Sequence, residues 1–107
     1  MAVDVDIPTN APPGVRALAD PVRWRIVELL AREQLCVCHL TEELEIAQPA
    51  VSHHLRVLRD AGMVEGKRWR YWTYYRLIPD ALDALTGMLA ALAASAPTGD
   101  SDRRPCC

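Results

Sequence analysis

Apolar residues recur at helical spacing along most of this chain and give way, once, to a run rich in valine, tryptophan, tyrosine and threonine. Met1 to Pro13 is polar and proline-bearing, which predicts a flexible arm, and a short helix follows over roughly Gly14 to Ala19. Asp20-Pro21 then supplies a cap and a first-turn proline. They open a helix whose Val22, Ile26, Val27, Leu29 and Leu30 share an apolar face and which should end near Glu33. Leu35-Cys36-Val37 reads as short and extended or helix-initiating, and Cys38 to Glu45 as a brief helix with Leu40 and Leu44 inward. Gln48-Pro49 starts the next helix. There Val51, Leu55 and Leu58 fall at i, i+4 and i+7 and should be buried, leaving Gln48, Ser52, His53, Arg56 and Arg59 outward. Ala61-Gly62 ends it. Met63 to Leu77 predicts a two-stranded hairpin with Arg68-Trp69-Arg70 at its tip. Pro79 opens a last helix with Leu82, Leu85, Met88, Leu89 and Leu92 on one stripe, Pro97 stops it, and Thr98 to Cys107 is a polar tail expected to be flexible.

Helices in this order around a single hairpin predict a mainly α domain with a β-hairpin wing, a winged helix-turn-helix over residues 14–96 between an arm at 1–13 and a cysteine-bearing tail at 97–107. A chain of 107 residues holds one modest core. The stripe on the last helix has the regularity of a packing seam rather than of a ligand pocket, so a homodimer is expected.

Charge first argues against a nucleic-acid partner and then for one. The chain carries a net −2. Between Ser52 and Leu77, however, six basic residues (Arg56, Arg59, Lys67, Arg68, Arg70, Arg76) face two acidic ones (Asp60, Glu65), a local +4. Such a patch is what phosphate binding requires. The chain has no apolar run of membrane-spanning length, and its first residues lack the basic start and apolar run of a signal peptide. A cytoplasmic location without a membrane partner is expected. An enzyme is not, because neither an acid–base pair nor a substrate cleft is indicated.

The four cysteines form two close pairs, Cys36/Cys38 and Cys106/Cys107. In a reducing compartment such pairs point to metal or redox chemistry rather than to structural disulfides. Cys36-Val37-Cys38 sits where a helix begins, so the helix dipole should make both thiols ionise more readily than free cysteine and react with thiophilic ions. Residues i and i+2 of a regular helix lie about 200° apart, so both sulfurs cannot grip one ion while both residues remain helical. The first turn must be frayed or become so, and an ion drawing the sulfurs together would tug the short helix beneath the exposed polar one.

Four segments, Ala19-Asp20-Pro21-Val22-Arg23, Leu35-Cys36-Val37-Cys38-His39-Leu40, Gln48-Pro49-Ala50-Val51-Ser52-His53-His54-Leu55-Arg56-Val57-Leu58 and Tyr74-Tyr75-Arg76-Leu77, resemble the signature segments of the ArsR/SmtB family of metal-responsive repressors, and the similarity runs over about Val15 to Leu92. The resemblance implies a homodimer joined through its first and last helices. Its two recognition helices would enter successive major grooves of double-stranded operator DNA at an inverted repeat, and ion binding would release it. Gln48, Ser52, His53 and Arg56 would meet base edges and phosphates, and Lys67, Arg68 and Arg70 would meet the backbone from the wing. The Cys-Val-Cys resembles the thiol site of arsenite, antimonite, cadmium and lead sensors, which implies As(III) or Sb(III) as inducer, with Cd(II) or Pb(II) as the alternative. A thiol-redox-sensing repressor is the second reading.

No histidine follows His54, which argues against the zinc and cobalt site that other family members carry on the last helix. Two departures stand out. Thr41 occupies the place of the family's usual third cysteine, and the N-terminal arm has no cysteine. Trivalent arsenic favours three thiolates. The tail offers Cys106 and Cys107, and the ten residues from Ala96 to Cys106 reach at most about 33–36 Å. His39 is another candidate ligand, although a histidine in a first turn is more often only hydrogen-bonded or solvated. Trp69 is expected to stack on a neighbouring arginine, and Glu45 and Arg70 stand where turns favour glycine.

Overall fold

Prolines set where the helices of this protein start. In the computed structural model, which describes residues 11–99 and 103–106, α1 (Pro13–Leu18), α2 (Pro21–Leu30), α4 (Gln48–Asp60) and α5 (Pro79–Ser95) each carry proline in the first two positions. There its missing N–H costs no helical hydrogen bond. Asp20 caps α2, accepting from the N–H groups of Val22 at 2.8 Å and Arg23 at 3.1 Å. That helix stops at Leu30 rather than near Glu33. Turn bonds from Ala31 to Val27 and from Arg32 to Leu29 close it, because the chain must next extend to join a sheet.

The sheet holds one strand more than the expected hairpin. β1 (Leu35–Cys36) pairs antiparallel with β3 (Trp72–Leu77), which pairs in turn with β2 (Val64–Trp69), giving the order β1-β3-β2. Register places Cys36 opposite Tyr74 and Leu35 opposite Tyr75. At the hairpin tip Trp69 pairs with Trp72 across Arg70-Tyr71, and Arg70 takes the positive φ of 57° that a type II′ turn needs at its first central position. Halfway along β2, a Cβ on Gly66 would lie 2.9 Å from the Thr73 methyl, so only glycine fits there without movement.

Helix α3 (Val37–Leu44) follows β1 without a loop and ends at Glu45, which is left-handed with φ 54°. Ile26, Leu40, Val51, Leu55, Leu58, Met63 and Val64 form the innermost core, so the α4 face expected to be buried is buried. Each such side chain contributes about 1.5–3 kcal/mol by leaving water. α1 lies tight against this core at Gly14, where a Cβ would stand 2.8 Å from the Met63 sulfur.

The α5 stripe divides. Leu85 is buried and Leu82 packs against the core, whereas Met88, Leu89 and Leu92 are 46%, 63% and 69% exposed. None of the described helices is long and apolar enough to cross a membrane.

Candidate thiol site and nucleic-acid interface

Cys36 belongs to two elements at once. It closes β1 and is the N-cap of α3, with an extended backbone of φ −89° and ψ 172°, so α3 begins at Val37 rather than at Cys38. Taking Cys36 off the helical spiral removes the angular separation that i and i+2 would have inside a helix. The two sulfurs lie 2.8 Å apart. The condition read from the sequence, that the two cysteines not both be helical, is met at the strand-to-helix junction, which brings the sulfurs together.

His39 completes the cluster. Its Nδ1 accepts the Cys36 N–H at 3.2 Å and stands 3.2 Å from the Cys36 sulfur, while the sulfur faces the His39 N–H in a reciprocal capping box. Donor atoms of Cys36, Cys38 and His39 all lie within 4.8 Å of one another. Cys36 is buried, His39 half-buried and Cys38 exposed, so the cluster opens to solvent on the Cys38 side. Thr41, in the place of the family's usual third cysteine, turns its hydroxyl back to the Val37 carbonyl at 2.9 Å. Cys106 is an exposed free thiol that the structure does not bring into the cluster, and Cys107 lies outside the described residues.

The polar face of α4 presents Gln48, Ser52, His53 and Arg56, all exposed, over a helix held down by Val51, Leu55 and Leu58. Lys67 and Arg68 on β2 and Arg70 at the turn are exposed as well. Asp60 pairs with Arg59 at 3.6 Å, and Glu65 pairs with Arg76. Both acidic residues of the stretch are thus taken. Arg56, Lys67, Arg68 and Arg70 have no carboxylate partner among the described residues. Arg70 lies over the Trp69 ring at 4.8 Å, the stacking expected of that tryptophan.

The profile of the bacterial regulatory proteins of the arsR family matches residues 20–66. The arsenical resistance operon repressor of Bacillus subtilis is 39% identical over 71 residues, 65% of this chain and 68% of that protein. The chain belongs to the arsR family. A second relative, the arsenic resistance transcriptional regulator ArsR1 of Pseudomonas putida, is 48% identical over 75 residues, which cover 69% of this chain but only 59% of that protein. Among solved structures, an ArsR-like transcriptional regulator from Rhodococcus sp. RHA1 superposes with a TM-score of 0.71 at 27% identity, covering 77% of each chain.

Within this arsR-family fold the two thiols do not ionise alike. Burial works against a charge on Cys36, but hydrogen bonds from the Cys38 thiol and from the backbone N–H groups of His39, Cys38 and Cys36 outweigh it and lower its pKa. The Cys38 pKa is raised, first by its hydrogen bond to Cys36, then by burial and by the negative charge on Cys36. The expectation of easier ionisation therefore holds for Cys36 alone, through the hydrogen bonds it accepts. Where two thiols lie this close, the second must ionise against the first.

A bracket missed from sequence holds α4. The Arg23 guanidinium donates from Nε to the Ala17 carbonyl at 2.7 Å and from Nη1 to His54 Nδ1 at 3.1 Å. Arginine only donates, so His54 accepts at Nδ1 and keeps its proton on Nε2. Burial, with the charges of Arg23 and His53, lowers the His54 pKa against the pull of Asp20. α1, α2 and α4 are thereby joined at one side chain.

Proposed function

We propose that this arsR-family chain is a transcriptional repressor that binds operator DNA as a homodimer and lets go when As(III) or Sb(III) is captured by Cys36, Cys38 and a tail thiolate from Cys106 or Cys107. The observation that carries this reading is the pair of sulfurs 2.8 Å apart at the start of α3, the helix that packs against the recognition helix α4. Each As–S bond forms as an arsenous acid hydroxyl leaves with a thiol proton, so three thiols yield three waters. The Cys36 sulfur that takes arsenic is the one capping α3, and its withdrawal frees an N–H at the helix start. α3 then shifts under α4.

Paired recognition helices reach half-sites about one DNA turn, roughly 34–36 Å, apart, and a shift in either helix spoils the fit. Gln48, Ser52, His53 and Arg56 read base edges and phosphates, and Lys67, Arg68 and Arg70 hold the backbone. Met88, Leu89 and Leu92 of α5, with Val15 of α1, supply the apolar surface for a partner copy.

Titrating an operator–protein complex with arsenite under strong reductant tests the reading. Release at micromolar ion supports it. Release by oxidant alone, with none by arsenite, would replace ion capture by thiol oxidation as the signal. Deleting residues 101–107 should leave DNA binding intact and weaken the arsenite response, with sulfur coordination at arsenic, read by X-ray absorption, falling from three towards two. Retention of three sulfurs would show the tail to be a passenger.

A further inference from the structure

We infer that Arg23 and His54 are a positioning pair for DNA binding: the neutral His54 ring, gripped by Arg23, fixes α4 against α1 and α2, and a proton on that ring breaks the grip, so that operator binding is lost in mild acid without any ion. This rests on the reading of α4 as the element that meets the operator. The thiols take no part in it.

Hydrogen-bond polarity carries the argument. A guanidinium has N–H donors and no acceptor, so the 3.1 Å contact between Arg23 Nη1 and His54 Nδ1 exists only while Nδ1 keeps its lone pair. A second proton on the ring would set N–H against N–H and cation against cation at that distance. Arg23 has little freedom to retreat. Its side chain is only 15% exposed, and its Nε donates at 2.7 Å to the Ala17 carbonyl, which lies in the last turn of α1 and has no helical donor of its own. The charges acting on the half-buried His54 are Asp20 and Arg23 from α2 and His53 from α4 itself, and among the described residues the other elements packed on α4, which are α1, α3 and β2, add none. Asp20 alone favours the proton, and its carboxylate is already engaged by the Val22 and Arg23 N–H groups. Burial first, then Arg23 and His53, outweigh it and keep the ring neutral to a lower pH than an ordinary histidine.

What the pair holds is the placement of α4 relative to α1. An open groove of about 730 Å³, lined by Val15, Ala17, Val57 and Ala61 among others, separates the two helices on their outer side, so close packing does not fix α4 there. Among the described residues the Arg23 contact is the one side-chain hydrogen bond that ties α4 to another helix. Two reading helices must match half-sites about one DNA turn, roughly 34–36 Å, apart, so an α4 released in each protomer spoils the fit twice. One proton per protomer makes two per dimer. If only the unprotonated dimer reads the operator, the dissociation constant rises about 4-fold at the His54 pKa and about 100-fold one pH unit below it. The sign is diagnostic, because a histidine that merely lies near phosphates gains charge, and affinity with it, as pH falls.

Anisotropy of a labelled operator duplex, titrated with the reduced, ion-free full chain between about pH 7.5 and about pH 5 at constant ionic strength, tests this. Affinity should be level above the ordinary histidine value of 6.5 and should fall below it with a slope approaching two protons per dimer, while sedimentation shows the dimer intact. His54→Asn can set a carboxamide oxygen near the place of Nδ1 and takes no proton, so it should bind like wild type at neutral pH and stay level in acid. His53→Asn should keep the wild-type fall. A wild-type affinity that is level or rises in acid would overturn the inference and leave the DNA reading of α4 standing, as would a fall that His54→Asn keeps or His53→Asn abolishes. Should His54→Asn fail to fold, the ring nitrogen shifts of His54 in the wild-type complex decide: a neutral ring at a pH where the free protein is protonated supports the pair, and a protonated ring in the complex refutes it. No operator binding by the wild type even at neutral pH would bring down the DNA reading and this inference together.

Discussion

Cys36 ends a strand, starts a helix, caps that helix and offers a sulfur, and each role constrains the others. A serine hydroxyl keeps nearly the size of the thiol but is a hard, poorly ionised donor. Cys36→Ser and Cys38→Ser are therefore expected to bind operator DNA with wild-type affinity and to resist release by arsenite, as measured by fluorescence anisotropy of labelled DNA. Normal release in both would remove this site from consideration. Asp20 acts on stability instead. Its burial opposes ionisation, but bonds from the Arg23 and Val22 N–H groups and the Arg23 charge hold its pKa below the ordinary 3.8. A depressed folded pKa means that the cap stabilises fully above that ordinary value and loses its contribution as pH falls through the folded one. Asp20→Ala should cost about 1 kcal/mol at neutral pH. Its denaturation midpoint should converge with that of the wild type once pH drops below the carboxylate range, and a gap that persisted in acid would contradict the charged cap.

On the proposed reading, α4 and the wing meet DNA in different ways and should fail in different ways. Ser52→Ala and Arg56→Ala lie off the buried Val51/Leu55/Leu58 face and should leave the fold intact, while the loss of a specific contact costs on the order of 1–3 kcal/mol in operator affinity. Lys67 and Arg68 on β2 should act through phosphates. Neutralising either is expected to weaken binding to all sequences alike and to flatten the dependence of log K on log salt by about one contact's share. A change confined to base preference would refute the wing assignment. These elements were legible in the chain because proline, capping and apolar period are local signals. β1 was legible only as a short segment, extended or helix-initiating, since two residues carry no period and their pairing comes from Tyr74 and Tyr75, far along the chain. The thiol pair was legible as chemistry and as a pair that could not both be helical, but not in its exact geometry, because the backbone angles of Cys36 are set by that same pairing. His39 stayed hidden as a cap: the usual pattern pairs serine or threonine with glutamate or glutamine, and here cysteine and histidine do the work. The Arg23–His54 bracket joins residues too distant in sequence to leave a local trace.

At the scale of the whole molecule, the exposed end of the α5 stripe is the seam proposed for a partner copy. Leu89→Glu together with Leu92→Glu should leave the core intact, as neither side chain enters it, and should shift sedimentation towards a monomer with greatly reduced operator affinity. An unchanged dimer would move the seam elsewhere. The reciprocal cap of α3 has a consequence at this scale too. If ion capture and a properly started α3 compete for the same atoms, then ion and operator oppose each other through a fixed free energy, and linkage requires the opposition to be mutual. A helix cap is worth about 0.5–2 kcal/mol, so two protomers supply about 1–4 kcal/mol, enough to change affinity by roughly 5-fold at the low end and by hundreds at the high end. The DNA-bound protein is then the less sensitive detector by that same factor. Extra operator copies in a cell would raise the ion concentration at which every copy responds, so the alarm threshold would be set jointly by the sulfur chemistry and by how many sites the repressor has to guard.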